Sequence, residues 1–551
     1  MQTPTLQAQV QRIAQALGEA ERTGDEEAKI PLYRQLLKLL PDLALAHAHL
    51  AALLLERDRE DEALPHVEHA LALPQDDQVD SLLFDELAKR PRFNGHLVKA
   101  QQWYDAKPNL WRFKLLLAAL NRIEAHADAE QLILRTLEQP LPSSEQTQVL
   151  NLLAQLYYNT GRFHESVACC QLGLEQAPDS VPLNFNYAVA QEQVARYREA
   201  FEAYAKVLRL DPEHVATHNN LALLMLRLGE FEQGWQQYEW RWAEVQKEHN
   251  QFFSIPRWQG EPLEGKTLLV WAEQGIGDHI MFASMLEELT KLGGTIHYEI
   301  YERLDALFSR SFPSVQFVRR ELQGTAKDGA QVMHRQTWPR SDYQIPMGSL
   351  PALLRPSLES FPRQPHYLQA DPAMAAELRQ DYQQRFPGKR LIGVSWRGGT
   401  SVSNEKQSRI IPIPSLAILA AQPDVQLVNL QYGDTSTERE RARENGFEIH
   451  HDESVNPLHD MDRQAAQIAA LDAVVSIDNT TVHLAGALGV PTYALLPLNP
   501  NWRWGLEEGP SYWYPSVRRV RNHKLNEWDD VLTRVAGQLR GDGILQEGSI
   551  A

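Results

Sequence analysis

The chain has 551 residues, a formal net charge of −18, 43% hydrophobic and 23% charged residues; this is the composition of a folded polypeptide, and at roughly 100–200 residues per domain it makes about three to five units. The acidic balance argues against a protein that tracks nucleic-acid phosphates or coats anionic lipid, since both need a surplus of Lys and Arg. The two cysteines, Cys169 and Cys170, are adjacent and supply no disulfide framework. Met1 to Gln11 lacks the basic start and apolar core of a signal peptide, and no run of about 18 apolar residues occurs. A cytoplasmic protein, without nucleic-acid binding or membrane insertion, is expected.

Self-similarity dominates the first half. From Val149 the chain restarts every 34 residues, with Pro178 and Pro212 closing successive units. Ala154, Ala188 and Ala222 fall at one position of the first helix of each unit. Ser166, Ala200 and Gly234 fall at one position of the second, with Phe163, Tyr197 and Phe231 three residues before them. Two antiparallel helices approach closely only where one side chain is small, and the aromatic fills the space beside that contact. A further unit runs from Ala44 to Leu73, with Leu50, Ala51, Ala63 and Ala70 at the corresponding places, and Pro41 closes a partial unit before it. This pattern resembles the tetratricopeptide repeat, and residues 75–145 read as degenerate copies. Such arrays offer a groove for a peptide or partner helix; the alternative is that the array only assembles or pads the chain.

After Trp242 the chain turns polar through Gln259, Gly260 and Pro262, and residues 246–264 read as a linker. The period then changes. Lys266–Ala272 is a short apolar run, Gln274–Asp278 a turn, His279–Leu292 an amphipathic helix ended by Gly293 and Gly294, and Thr295–Ile300 a second strand. The same alternation restarts at Arg390–Trp396 and continues through Gln426–Gln431, Phe447–His450, a helix at Arg463–Leu471, a strand at Ala473–Ile477, a helix at Thr480–Leu488 and a strand at Thr492–Leu496. Strands alternating with helices predict two parallel-sheet units, whose strand ends would face a common cleft.

Three loops at those ends hold the candidate chemistry. Gln274-Gly275-Ile276-Gly277-Asp278 opens a helix, where backbone N–H groups face outward. It fails as a dinucleotide fingerprint because Ile280 stands at the third glycine position, even though Glu299 lies at the distance of a ribose-binding acid. Asp278 is either a general base or a helix cap. In Asp478-Asn479-Thr480-Thr481-Val482-His483 a strand ends on an acid and a helix begins with two hydroxyls, a pattern suited to phosphate. Trp396-Arg397-Gly398-Gly399, followed by Lys406 and Arg409, supplies cations at a strand end; a solvated loop is the alternative. Asp460 and Asp462 read as helix caps, and His450 with His451 lacks a partner at ligand spacing, so no metal site is inferred. Trp502, Trp504, Tyr512, Trp513 and Tyr514 either stack on a base or sugar or seal a domain junction.

Gly275–Asp278 and the stretch VVSIDNTTVHLAGALGVP, Val474 to Pro491, resemble the signature regions of the glycosyltransferase family 9 heptosyltransferases. The fusion to repeats resembles bacterial repeat-containing protein glycosyltransferases, including the flagellin-modifying type, and is similar in layout to the O-linked N-acetylglucosamine transferases. The resemblance implies an all-α tetratricopeptide superhelix followed by an α/β GT-B fold, two Rossmann-like domains facing a cleft. It also implies a nucleotide-sugar donor, no metal and no cofactor. The expected layout is a helical region 1–145, repeats 146–245, linker 246–264, acceptor-side domain 265–385, nucleotide-sugar domain 386–540 and tail 541–551. By the same carry-over Asp278 is the general base. Gly275, Gly277, Arg397, Lys406, Arg409, Asp478, Asn479, Thr480, Thr481 and His483 would surround the donor. Asn479 stands where the heptosyltransferases have a Thr, and those enzymes lack repeats, so an ADP-heptose donor does not follow. The expected activity is transfer of a sugar to Ser or Thr of a protein, flagellin or another surface protein, captured by the repeat groove. A glycan-acceptor transferase and a non-catalytic adaptor that senses a nucleotide sugar are the alternatives.

Overall fold

Close packing at the predicted small residues shapes the helical half. The computed structural model describes residues 5–73, 77–88, 97–245, 255–273, 275–319, 322–325, 331–333, 338–361, 363–398, 408–525 and 527–545. Ala154, Ala188, Ala200 and Ala222 are fully buried, and a Cβ at Gly234 would sit 2.8 Å from Leu226 Cδ2. Helices follow one another from Leu6–Thr23 to Phe231–Tyr238. They divide between two compact units: residues 1–160 with 168–178, and residues 161–167 with 179–551. The helices Val181–Gln193, Tyr197–Leu210, Val215–Leu228 and Phe231–Tyr238 therefore belong to the same unit as the sheets. No described helix is long and apolar enough to cross a membrane.

In the first unit, Ala44–Leu55 and Glu60–Ala72 form the expected hairpin, with Leu50, Ala51, Ala63 and Ala70 fully buried. A histidine cluster joins its two helices. His47 Nε2 is 2.8 Å from the Pro41 carbonyl, which only accepts, so Nε2 holds the proton and Nδ1 accepts from His66 Nδ1 at 2.8 Å. Burial pulls both imidazoles below the ordinary histidine pKa, the Pro41 bond opposing this at His47 and the neighbouring His47 adding to it at His66. The unfolded chain then binds more protons below about pH 6.5 than the folded one, so stability is full above that pH and falls as pH drops. Melting of the full chain should begin at a lower temperature at pH 5.5 than at pH 7.5. A His47→Gln/His66→Gln variant should lose part of that difference; an unchanged pH dependence would clear the cluster.

In the second unit, β1 (Thr267–Trp271), β2 (Thr295–Ile300), β3 (Gln316–Arg319) and β6 (Tyr343–Pro346) form an all-parallel sheet in the order β3-β2-β1-β6. β4 (Leu322–Thr325) and β5 (Gln331–Met333) make a separate antiparallel pair. The second sheet runs β12-β13-β11-β10-β7-β8-β9, from β7 (Arg390–Ser395), β8 (Val425–Asn429), β9 (Ile449–His450), β10 (Ala473–Ile477), β11 (Thr492–Leu496), β12 (Gly509–Pro510) and β13 (Val517–Arg521). All its pairings are parallel except β12 with β13. Every residue of β10 and β11 is buried, as expected of strands covered on both faces. The helix after β10 ends where Gly489, at φ +75°, lies against the Pro365 carbonyl, 2.8 Å from where a Cβ would be.

Two expectations change here. The stretch read as a linker joins the first sheet from Arg257 on: Arg257 pairs beside Gln344, Trp258 N donates to the Gln344 carbonyl at 2.9 Å, and Trp258 and Leu263 are buried. Its polar composition hid two apolar anchors. The helix expected at His279–Leu292 begins earlier, at Ile276, and is divided into Ile276–Phe282, a 3₁₀ turn Ala283–Met285 and Leu286–Thr290. Inside the turn the Ser284 hydroxyl donates back to the Met281 carbonyl at 2.7 Å.

One of the cores of this unit runs from the repeat helices into both sheets. It joins Leu226, Phe231 and Trp235 of the last repeat helices to Val270 of β1 and Val474 of β10. Trp502, Trp504, Trp513 and Tyr514 belong to it and are buried, so of the two readings of that aromatic segment the junction seal is the one observed.

Candidate functional site

Parallel register brings the predicted loops together. Ser476 of β10 pairs beside Ser395 of β7, so the segments leaving both strands start side by side. Asn479 ties them: its Nδ2 donates to Ser395 Oγ at 2.7 Å and to the Arg397 carbonyl at 3.1 Å. Its Oδ1 accepts from Thr481 N at 3.0 Å, capping the helix Thr480–Ala487. Because Asn479 is the cap, neither threonine is.

The glycine loop meets this helix from the first sheet. Gly275 is the N-cap of Ile276–Phe282, and its carbonyl accepts from Asp278 N and His279 N, both at 3.1 Å. The cap reading of Asp278 therefore fails; the side chain projects from the first turn, where a carboxylate interacts favourably with the helix start. A Cβ at Gly277 would lie 3.0 Å from His483 Cδ2 and 3.7 Å from Thr480 Oγ1, so the absence of a side chain there lets the two helix starts touch. Ile276, Thr480 and Thr481 line one cavity of about 200 Å³, together with Arg303 from the turn after β2 and Tyr432 from the segment after β8. Pro457, Leu458 and Gln464 are shared with a neighbouring polar cavity of about 300 Å³ at the ends of β8 and β9.

Asp278 has a partner that sequence reasoning missed. Arg503 Nε donates to Asp278 Oδ1 at 2.8 Å and Nη2 donates to the same oxygen. Oδ2 takes neither of these bonds. The guanidinium lies 4.4 Å from the Trp502 ring and donates to Asn501 Oδ1 at 2.7 Å. Asn501 and Trp502 beside an arginine were the local signal available, but nothing local connects that arginine to residue 278.

The predicted cations Arg397 and Arg409 are also held by carboxylates. Arg409 Nε donates to Asp478 Oδ1 at 2.8 Å and Nη2 to the Asp478 carbonyl; Asp478 is buried and faces this arginine. Arg397 Nε donates to Glu438 at 2.9 Å and Nη2 to the Asp434 carbonyl at 2.9 Å. Lys406 lies outside the described residues. His483, expected beside phosphate, is buried at this helix start: burial first, then Arg503 and Arg409, pull its pKa down to about 3. Its Nδ1 is 2.8 Å from Tyr514 Oη. Glu299 is likewise buried and accepts from Ala272 N at 2.7 Å. Asp460 caps its helix through Arg463 N at 3.0 Å, while Asp462, inside the first turn, is paired with Arg310.

Tetratricopeptide helices joined to paired α/β layers define the class. The family model of the tetratricopeptide repeat matches residues 147–180 and 181–214. Protein FlbA of Caulobacter vibrioides is 32% identical over 436 residues, 77% of this chain and 72% of that protein, and the chain belongs to the FlbA family. Among solved structures it is similar to a glycosyl transferase family 9 protein from Veillonella parvula, at 14% identity and a TM-score of 0.36, covering 51% of this chain and 99% of that one. It is also similar to YrrB, described as a TPR protein with an unusual peptide-binding site, at 13% identity and a TM-score of 0.22, covering 40% and 94%.

Proposed function

We propose that the chain is a glycosyltransferase of GT-B type, independent of metal, which binds a nucleotide sugar between its two sheets. It transfers the sugar to a Ser or Thr hydroxyl of a protein engaged by the repeats, flagellin or another surface protein, in the cytoplasm. The observation that carries this reading is the meeting of the Ile276 and Thr480 helix starts at one cavity, with Asp278 in the first turn of the helix that begins at Ile276. Helix starts suit a phosphate, and a carboxylate beside them suits an acceptor hydroxyl. In the reaction the acceptor oxygen attacks the anomeric carbon as Asp278 Oδ2 takes its proton. The bond from that carbon to the nucleotide phosphate breaks, and the leaving oxygen's charge meets the Thr480 N–H and the hydroxyls of Thr480 and Thr481.

The test is a thermal-shift panel with ADP, UDP, GDP, CMP and their sugar conjugates, run on wild type and on Thr480→Val/Thr481→Val. A ligand at 100 times its Kd adds about 2.7 kcal/mol of stability. One nucleotide should raise the wild-type melting temperature and leave the variant's unmoved. Equal shifts in both proteins would remove the threonines from the site, and no shift with any ligand would make the α/β half a scaffold that binds no nucleotide by itself.

A further inference from the structure

Three described arginines of the predicted loops and their surroundings are engaged by carboxylates: Arg397 by Glu438, Arg409 by Asp478 and Arg503 by Asp278. Arg303 is different. It stands on the 3₁₀ turn Glu302–Leu304 that follows β2, and it lines the same cavity as Thr480 and Thr481. Its hydrogen bonds go to main-chain oxygens of the other α/β layer: Nη1 donates to the Pro457 and Leu458 carbonyls, both at 3.4 Å, the long limit for such a bond. No carboxylate of the described residues forms an ion pair with it. Half-buried, it loses solvation, and burial lowers its pKa from the ordinary arginine value, with Tyr301 opposing. A partly desolvated cation held only by two long carbonyl contacts is a group whose interaction improves when an anion arrives.

The adjoining cavity has the opposite character. Asp434, Asp452 and Glu453 line it beside Asn429 and Gln467. An anion would be repelled there, whereas hydroxyl and amino groups find acceptors. The two cavities share Pro457, Leu458 and Gln464, so one elongated ligand can occupy both.

We propose that Arg303 is the cation that binds the phosphates of a nucleoside diphosphate, whose nucleoside lies in the acid-lined cavity, and that the phosphate oxygens replace the Pro457 and Leu458 carbonyls as its partners. This rests on the donor site proposed above and adds its polarity, with phosphate toward Arg303 and the first sheet, nucleoside toward β8 and β9. Arg303 is the phosphate-positioning residue, and no ion pair has to break for it to act.

The test is calorimetric titration of the full chain with ADP, UDP, GDP and CDP and with the four nucleosides, for wild type, Arg303→Gln and Arg303→Lys, at 50 and 200 mM NaCl. Melting temperatures confirm that the variants are folded. For whichever diphosphate binds wild type, Arg303→Gln should weaken binding about tenfold and flatten its salt dependence. Arg303→Lys should recover part of the loss, and affinity for the matching nucleoside should stay within twofold. Diphosphate binding within twofold of wild type in Arg303→Gln overturns the assignment while leaving the donor site standing. Absence of diphosphate binding to wild type overturns both.

Discussion

Asp278→Asn is expected to lower sugar transfer about 100- to 10,000-fold, the range that a positioned general base supplies, while nucleotide binding stays within twofold. The substitution keeps the shape of the side chain, and its amide oxygen still accepts from Arg503, so the 498–505 segment keeps its attachment to the glycine loop. What is lost is the ability of Oδ2 to take a proton. Transfer is read by the mass gained by an acceptor protein co-expressed with each form, and then by initial rates with the nucleotide sugar that stabilises the wild type. Activity within tenfold of wild type, with the fold intact, would remove Asp278 from the base role. Loss of nucleotide binding together with transfer would instead make it a binding residue.

Truncating Trp235 should strongly reduce the stability of the second unit. Its side chain is 1% exposed, its Nε1 donates to the Arg355 carbonyl at 2.9 Å, and its ring meets Trp502 edge-on with centroids 5.5 Å apart. It thus joins the helix Phe231–Tyr238 to the 3₁₀ turn that holds Arg503. Trp→Ala at a buried site costs about 3–5 kcal/mol, and here the Arg355 carbonyl also loses its donor. Chemical denaturation should show that loss for Trp235→Ala, with Trp235→Phe recovering much of the packing. A cost below about 1 kcal/mol would mean that the repeat helix and the sheets are held together elsewhere, for example by Arg241, whose guanidinium donates to Glu273 Oε1 and Oε2 at 2.7 and 2.8 Å. Tyr197 adds a second tie from the repeats, its hydroxyl 3.3 Å from Asn499 Oδ1 and accepting from Arg521 Nη2 at 3.2 Å. If these contacts position Arg503, Trp235→Phe should alter transfer more than it alters nucleotide binding.

Regularity made much of the fold legible. The 34-residue restart, the small residues at the helix contacts and the apolar runs of the strands are local, and strands Thr295–Ile300, Ala473–Ile477 and Thr492–Leu496 lie where the pattern puts them. The glycine loop and the double threonine were readable for the same reason, since a helix start writes its own signature in a few consecutive residues. Boundaries failed where a local pattern met a distant constraint. Gly-Ile-Gly allowed a helix to begin at Ile276, and Trp258 brought a polar stretch onto the sheet edge through Gln344.

The site divides along the same line. Sequence alone determined which residue types gather at the strand ends, because parallel α/β units place their loops there whatever lies elsewhere in the chain. It did not determine how the charges among them are matched. Arg503 meets Asp278 across 225 positions and Arg303 meets Pro457 across 154, and no local periodicity encodes such pairings. Only the tertiary structure decided that Arg397, Arg409 and Arg503 face carboxylates, that His483 stays neutral, and that Arg303 faces the cavity. The physical reason is that a charge takes the partner which burial brings within reach, and burial is a property of the packed core that joins the last repeat helices to both sheets.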